Sequence, residues 1–339
     1  MSDLLKTLAA HIRNNANPEI HVVSGQDLSN DESGFSASSE PKRRDAKWIN
    51  ESSGAVGDPQ SGSIAYFMDG IERKHVPLYV SMIPVVYGYV AAVVRMRDAE
   101  KKMRTYSHKR RESLYFPRRL EKSEFLNGAG IEIIDTETED KPLEEHPFIL
   151  KEAARVAIGK SRGRLETELA KKWLEEFQGR SEWLLVDGSL GGTLGGDYQR
   201  YENPNIVGII KSHNTQYFPM EEQRKILNMR VGERSGVFMP LAREKAAPVY
   251  SWYLRLRPND GQDVYFGLIR VEAPANQRTL DMADEISRWL LAERRPLSLP
   301  DSRWDKMFYP IRDCEQYLRS LAPTKIMLEA SMMGLSSSR

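Results

Sequence analysis

The run VPLYVSMIPVVYGYVAAVV, Val76 to Val94, is the longest apolar stretch in the chain, and what interrupts it decides the fold class. A membrane-crossing helix needs about 20 consecutive apolar residues. Here Pro77, Pro84 and Gly88 fall inside the run. Proline removes a helical hydrogen bond and clashes with the preceding turn, so one continuous helix is excluded. The run reads instead as buried strands, Val76–Pro84 and Val85–Val94, joined by a turn. The preceding SIAYFMDG, residues 63–70, reads as another buried strand ending in a turn. Together the three predict an antiparallel meander beginning at Ile64.

The clearest helical signal lies further on, over 148–177. Leu165, Leu169, Trp173 and Phe177 recur every four residues and give one apolar stripe. EWLLVDGSLGG (182–192) is then a short strand running into a glycine-rich turn, and Ile206–Ile210 is a strand ending at Lys211. MEEQRKILNMR predicts a helix. Val249–Leu256 and Val264–Val271 predict a hairpin turning at PNDGQ. Helices follow over 278–294 and Tyr309–Leu321. Residues 1–20 carry a short amphipathic helix, and Ser24–Gly62, rich in Ser, Gly, Asp and Asn, reads as loop. This order predicts an α/β fold with a mixed sheet and flanking helices. It divides into an N-terminal helix and flexible segment (1–60), a main domain (61–322) with a charged helical insertion at about 95–147, and a C-terminal tail (323–339).

Charge and cysteine content narrow the function classes. The 49 basic and 48 acidic residues leave a formal charge of +1, which excludes a wholly basic nucleic-acid coat. A local patch can still supply the field that the total hides. The 95–122 stretch is such a patch, with Arg104, Lys109, Arg110, Arg111, Arg118 and Arg119 as candidate DNA contacts. Tyr106, Tyr115 and Phe116 are placed to stack on unpaired bases. A solvated, charged helix face explains the same run equally well. The 132–145 stretch is correspondingly acidic. One cysteine excludes an intramolecular disulfide, and six scattered histidines give no zinc-ligand spacing. The amphipathic N-terminus lacks a signal peptide's apolar core, so the cytoplasm is expected, with no membrane association.

Two segments share a pattern that points to chemistry. IAYFMDG and WLLVDGS each run an apolar strand into Asp-Gly, at Asp69 and Asp187. A buried strand-end aspartate is costly unless a cation or hydrogen bonds compensate it. Two such strands side by side would bring two carboxylates together, and oxygen-only ligation suits Mg²⁺ or Mn²⁺. Asp-Gly is also an ordinary turn signal; the matched pair weakens that explanation. The helix before the second strand offers a third acid, Glu166 or Glu168. Glu168 lies at the edge of the apolar stripe; either residue could instead pair with Lys171 or Lys172 on a solvated face. Lys211 at its strand end could offset phosphate charge, or simply snorkel. The run GSLGGTLGG lacks both the G-K-[ST] ending and the GxGxxG order of phosphate loops. A flexible glycine loop beside Asp187 would let a nucleic-acid backbone approach.

Taken together, IAYFMDG, the glutamate-bearing helix, LLVDGSL, NIVGIIK and the later FYPIRDCEQY resemble the NurA family of nucleases, over about residues 60 to 322. The resemblance implies an RNase H-like fold and Mn²⁺-dependent (or Mg²⁺-dependent) nuclease activity on DNA ends, with two ions. It also implies a homodimer and a HerA-type hexameric ATPase partner, in DNA end processing or in defence against foreign DNA. Carried over by position, Asp69, Glu168 and Asp187 are the metal-binding acids and Lys211 an auxiliary cation. The first motif here is DGI rather than DGS. The helix after Tyr309-Pro310 carries Asp313, Glu315 and Tyr317 where the family often has a histidine. A non-catalytic DNA-end or ATPase-adaptor module on the same fold is the alternative. A phosphotransferase on a related fold ranks third, because a second glycine-rich Asp loop is missing.

Overall fold

Alternation sets which way each strand faces, because successive side chains on a strand point to opposite sides. Phe67 and Met68, Leu184 and Leu185, and Ile206 and Val207 are all buried, and each pair divides between two separate cores. Such strands lie inside a sheet covered on both faces, which is why they read as continuous apolar runs. The structure is a computed structural model. It describes residues 3–15, 19–27, 42–120, 130–137, 144–194, 201–241, 248–294 and 306–336.

In chain order the elements are α1 (Asp3–Asn14), β1 (Ile20–Asp27), β2 (Lys42–Arg43), β3 (Ala46–Asn50), β4 (Gly54–Ala55), β5 (Ile64–Val80), β6 (Ile83–Arg97), β7 (Met103–Phe116) and β8 (Ile133–Asp135). Then come α2 (Pro147–Glu176), β9 (Trp183–Asp187), α3 (Leu190–Leu194), β10 (Ile206–Ile210), β11 (Thr215–Gln216) and α4 (Met220–Leu227). The chain continues with β12 (Glu233–Arg234), β13 (Val237–Pro240), β14 (Val249–Arg255), β15 (Leu268–Pro274), α5 (Gln277–Glu293), α6 (Tyr309–Leu321) and α7 (Lys325–Ser336). The main sheet runs β3-β13-β14-β15-β10-β9-β5-β6-β7-β8, with β1 also pairing with β5. The β5-β6-β7 meander is antiparallel, β5-β9-β10 is parallel, and β15 closes antiparallel on β10. This is the α/β architecture with a mixed sheet and flanking helices that the element order predicts.

Helix α2 covers one face. Its stripe residues Leu165, Leu169 and Trp173 pack with Met68, Val90, Val186 and Ile206. Fully burying such a side chain contributes about 1.5–3 kcal/mol. Helices α5, α6 and α7 cover the other face, where Ile286, Leu290, Ile311, Leu318 and Leu328 join Phe67, Leu185 and Val207 in one core. Among the described residues no helix is long and apolar enough to cross a membrane.

Several elements differ from the sequence reading, each for a physical reason. The 95–147 region is not a helical insertion: β7 is a full strand of the meander, paired with β6 from Met103 to Tyr115. Leu114 and Phe116 on one face and Tyr115 on the other are buried, and they lock the charged run into the sheet. Residues 121–129 and 138–143 of that region lie outside the described residues. The β5–β6 turn falls at Ser81-Met82, both at positive φ (47° and 68°), as a two-residue hairpin turn requires. Pro77 sits instead in a register shift between His75 and Leu78, where its missing N–H costs no ladder bond. The N-terminal segment is not separate from the main sheet, since β1 pairs with β5 and β3 with β13; residues 28–41 of the expected loop are not described. The C-terminal tail forms α7, whose Leu328 and Met332 share a core with Leu5 and Leu8 of α1. Connecting β14 to β15 takes more than a tight turn, because β15 begins only at Leu268.

Candidate active site

The site arises where neighbouring strands differ in length. Strand β9 ends at Asp187 while β5 runs on past Asp69, so Asp69-Gly70 lies inside a strand and makes no turn. The parallel register Met68↔Val186 makes Asp69 and Asp187 the next neighbours across the two strands. By alternation both share the face of Phe67 and Leu185, beneath α6. Beyond Asp187, residues 70–74 of β5 have no strand partner on that edge among the described residues, until β1 takes over at His75. This gap is a window through the sheet. It lies at the carboxyl ends of the parallel strands β9 and β10, where open α/β sheets bind ligands.

Glu166 reaches the window from the α2 side. A Cβ on Gly70 would stand 2.2 Å from Glu166 Oε1, so only glycine lets that carboxylate lie against the strand. Arg162, one helical turn earlier, donates to Glu166 Oε1 at 2.9 Å and to the Gly70 carbonyl at 3.5 Å, and its Nε lies 3.3 Å from Glu72. Burial pushes the Glu166 carboxyl up to about 7; Arg162 opposes that and the charge of Asp187 adds to it. Burial likewise raises the Asp69 carboxyl well above the ordinary range. Asp187 and Glu166 raise it further, while Lys211 and the Gly70 N–H, 2.7 Å from Asp69 Oδ1, pull it down.

The motif after Asp187 is fixed by its neighbours. Gly188 has φ of +134°, and its N–H bonds to the Ile209 carbonyl at 2.9 Å. The Ser189 hydroxyl and the Leu190 N–H both donate to Glu272 on β15 at 2.8 Å, and Arg270 neutralises that buried carboxylate at 2.5 Å. Gly208 in β10 leaves room for this turn; a Cβ there would meet the Gly188 carbonyl at 2.6 Å. The glycine run is therefore helical through α3, and residues 195–200 are not described. Lys211, one residue past β10, places its Nζ 2.9 Å from Asp187 Oδ2.

Asp69, Arg162, Asp187 and Lys211 open into a cleft of about 230 Å³, and Glu166 lies behind Gly70, outside the cleft lining. Asp69, Asp187, Lys211 and Arg162 line its sheet side; Arg312 and Glu315 of α6, with Lys306, line the other. The donor set is chemically suited to a hard divalent cation: carboxylate oxygens, with two aspartates that repel and one lysine between them. As the side chains stand, no group of three or more His, Cys, Asp or Glu among the described residues is disposed to hold a metal ion. A bound cation would therefore draw first on Asp69 and Asp187.

The structure brings Asp69, Asp187 and Lys211 together. It does not bring Glu168: two residues turn a helix by about 200°, and Glu168 points to β7, half-exposed and 2.5 Å from Lys109. Glu166 takes the place expected for Glu168. Gly70 is the signal that could have found it, as a close-approach glycine. Of the basic stretch, Arg104, Lys109, Arg110 and Arg111 lie on β7, two strands from Asp69, with Arg118 and Arg119 just past its end, and much of it is paired. Arg104 binds Asp98 at 2.7 Å, Arg119 lies near Glu137 and Glu145, and Arg118 donates to the Ile133 carbonyl at 2.5 Å. Arg110 and Arg111 are exposed. Asp313 ties α6 to Arg95 at 2.7 Å and stays out of the cleft. His213 is half-buried against the Leu268 carbonyl at 2.9 Å, its pKa lowered to about 4 by desolvation, and it does not line the cleft. Arg162, Arg312 and Lys306 are cleft residues that the sequence pattern did not single out. Compared with protein-family models and with characterised proteins, the chain gives no match.

Proposed function

We propose that the protein is a metal-dependent DNA nuclease with an RNase H-like fold. The observation that carries this is the side-by-side placement of Asp69 and Asp187 on parallel strands, with buried Glu166 beside them and cations on every wall of the cleft. An antiparallel meander, a crossover helix and two further parallel strands are the arrangement an RNase H-like fold uses, which supports the fold reading. Asp69 and Asp187 would hold Mn²⁺ or Mg²⁺, with Glu166 rather than Glu168 as the third acid. Bound divalent ions would supply activation of water and charge compensation at the leaving oxygen.

The chain's own groups have distinct parts in this reading. Arg162 keeps Glu166 pressed against Gly70, so the carboxylate is positioned before substrate arrives. Lys211 neutralises Asp187 in the resting site and is placed to meet a phosphate when that aspartate is engaged elsewhere. Arg312 and Lys306 offer charge-assisted hydrogen bonds to backbone phosphates. The exposed Arg110 and Arg111 extend the positive surface along β7. The family resemblance adds the rest of the proposal: DNA ends as substrate, a homodimer, a HerA-type hexameric ATPase as partner, and a cytoplasmic role in DNA repair or defence.

A second reading, a non-catalytic DNA-end or ATPase-adaptor module, draws on two observations. The acids are already answered by Lys211 and Arg162, and the histidine position is not filled. Purified protein incubated with end-labelled DNA and Mn²⁺ separates the two. Metal-dependent degradation that is lost in Asp187→Asn supports the nuclease. DNA binding without any cleavage by the wild type supports the module.

A further inference from the structure

The cleft does not end the groove in which it lies. On β5 the residues Asp69, Ile71, Arg73 and His75 alternate onto one face before the register shift that follows His75. On α6 the residues Arg312, Glu315, Arg319 and, just past the helix, Ala322 follow one another at three- and four-residue spacing. Asp69, Ile71, Arg312 and Glu315 line the cleft. Arg73, His75, Arg319 and Ala322 line a second pocket of about 270 Å³. The Glu315–Arg319 ion pair, 2.6 Å, joins the two.

The second pocket has one sign of charge. Its ionisable lining consists of Arg73, Lys74, His75, Arg319 and Lys325, with no carboxylate. Lys74, Arg319 and Lys325 have partners outside the lining, Glu72 at 2.6 Å, Glu315 at 2.6 Å and Glu329 at 3.7 Å. Arg73 makes no ion pair with the described residues. Thr324 caps the N-terminus of α7 by accepting from the Met327 N–H at 3.2 Å, so the positive end of that helix faces the same space. Three of the cations are thus answered by carboxylates behind the lining, and Arg73 and the start of α7 are left to present positive charge to the hollow, where an anion would be stabilised.

The geometry points to a phosphate-binding subsite, formed by Arg73, Arg319, Lys325 and the start of α7, that holds a backbone phosphate of a nucleic-acid strand whose scissile phosphate lies at Asp69 and Asp187. It rests on the nuclease reading for the nature of its ligand. Arg73 is four residues from Asp69, about 13 Å along an extended strand, a distance that a single strand covers with a few nucleotides. The subsite would set how much strand must thread the groove before cleavage, and so favour a single strand over a mononucleotide.

The test is metal-free binding, which does not depend on catalysis. A fluorescent thymidine decamer is titrated in EDTA against wild type, Arg73→Ala/Lys325→Ala and Arg73→Lys/Lys325→Arg over a salt series. The alanine pair should bind at least tenfold more weakly. Its slope of log affinity against log salt should be shallower by about 0.7, the loss of one phosphate contact on a single strand. The conservative pair should stay near wild type, which separates lost charge from misfolding. Equal affinity and slope in the alanine pair and wild type would overturn the subsite. Calorimetry with inorganic pyrophosphate distinguishes the source of the anion: pyrophosphate binding that the alanine pair loses, with decamer binding unchanged, would assign the pocket to a free anion and overturn the nucleic-acid assignment. Failure of the nuclease reading shows separately, as no Mn²⁺-dependent cleavage by the wild type.

Discussion

Replacing Glu166 with glutamine removes one buried titratable group and keeps an oxygen that Arg162 can donate to. With its carboxyl at about 7 rather than the ordinary 4.5, Glu166 keeps its proton in the folded protein at pH values where the unfolded chain has lost it. Its contribution to stability is therefore complete below pH 4.5 and is lost as pH rises through about 7. At about 1.4 kcal/mol per pKa unit, the interval corresponds to about 3 kcal/mol. The amide of the Glu166→Gln variant titrates nowhere in this range. Urea denaturation of both proteins at pH 4.5 and pH 8 reads the difference directly, with Asp69 contributing in the same direction to each. Glu166→Gln should gain about 3 kcal/mol on wild type between the two pH values. A stability difference that is the same at both would refute the claim that Glu166 is a buried acid whose carboxyl is raised by desolvation at the window.

Three further outcomes follow from the same geometry. Gly70→Ala forces a Cβ to within 2.2 Å of Glu166 Oε1, so it should cost about 1–3 kcal/mol in chemical denaturation and displace the third acid; an unchanged midpoint would contradict the close approach. Glu168→Gln removes only a half-exposed ion pair to Lys109, so it should change stability by less than about 1 kcal/mol and leave Mn²⁺-dependent cleavage within twofold of wild type; a loss as large as that of Glu166→Gln would return the role to Glu168. Mn²⁺ should raise the melting temperature of wild type, because a bound cation relieves the repulsion between Asp69 and Asp187, and raise it much less in Asp187→Asn; equal shifts by differential scanning fluorimetry would place the ion elsewhere.

The sequence speaks most clearly where one residue's neighbours are local. The stripe from Leu165 to Phe177, the strand ending at Asp187 and the strand leading to Lys211 are all legible, because burial on a helix or short strand follows from spacing alone. Asp69 is legible as a candidate acid, but its backbone is not: Asp-Gly signals a turn locally, and only the packing of Glu166 on Gly70 explains a glycine inside a strand. Choosing Glu166 over Glu168 needs the rotation of α2 against the sheet, and that is set by packing on strands from both sides of it in the chain, β5 and β6 as well as β9 and β10. The charged β7 carries little period-two signal in its first half, since both its faces lie near solvent; its place comes from pairing with β6. The β1 and β3 strands depend on partners far along the chain, which a Ser- and Gly-rich composition does not reveal. Arg162, Arg312 and Lys306 become cleft residues only when α2 and α6 meet across the window.

The most direct measurement is Mn²⁺-dependent cleavage of end-labelled DNA by wild type and by Asp187→Asn, with thermal melting recorded for both. Asp187 is partly exposed in the cleft, 26% at its side chain, and its amide is nearly isosteric, so the variant should melt close to wild type. The account predicts degradation by wild type that requires the metal, and none by the variant. Cleavage by Asp187→Asn at the wild-type rate, or no cleavage by folded wild type with Mn²⁺ present, would contradict it.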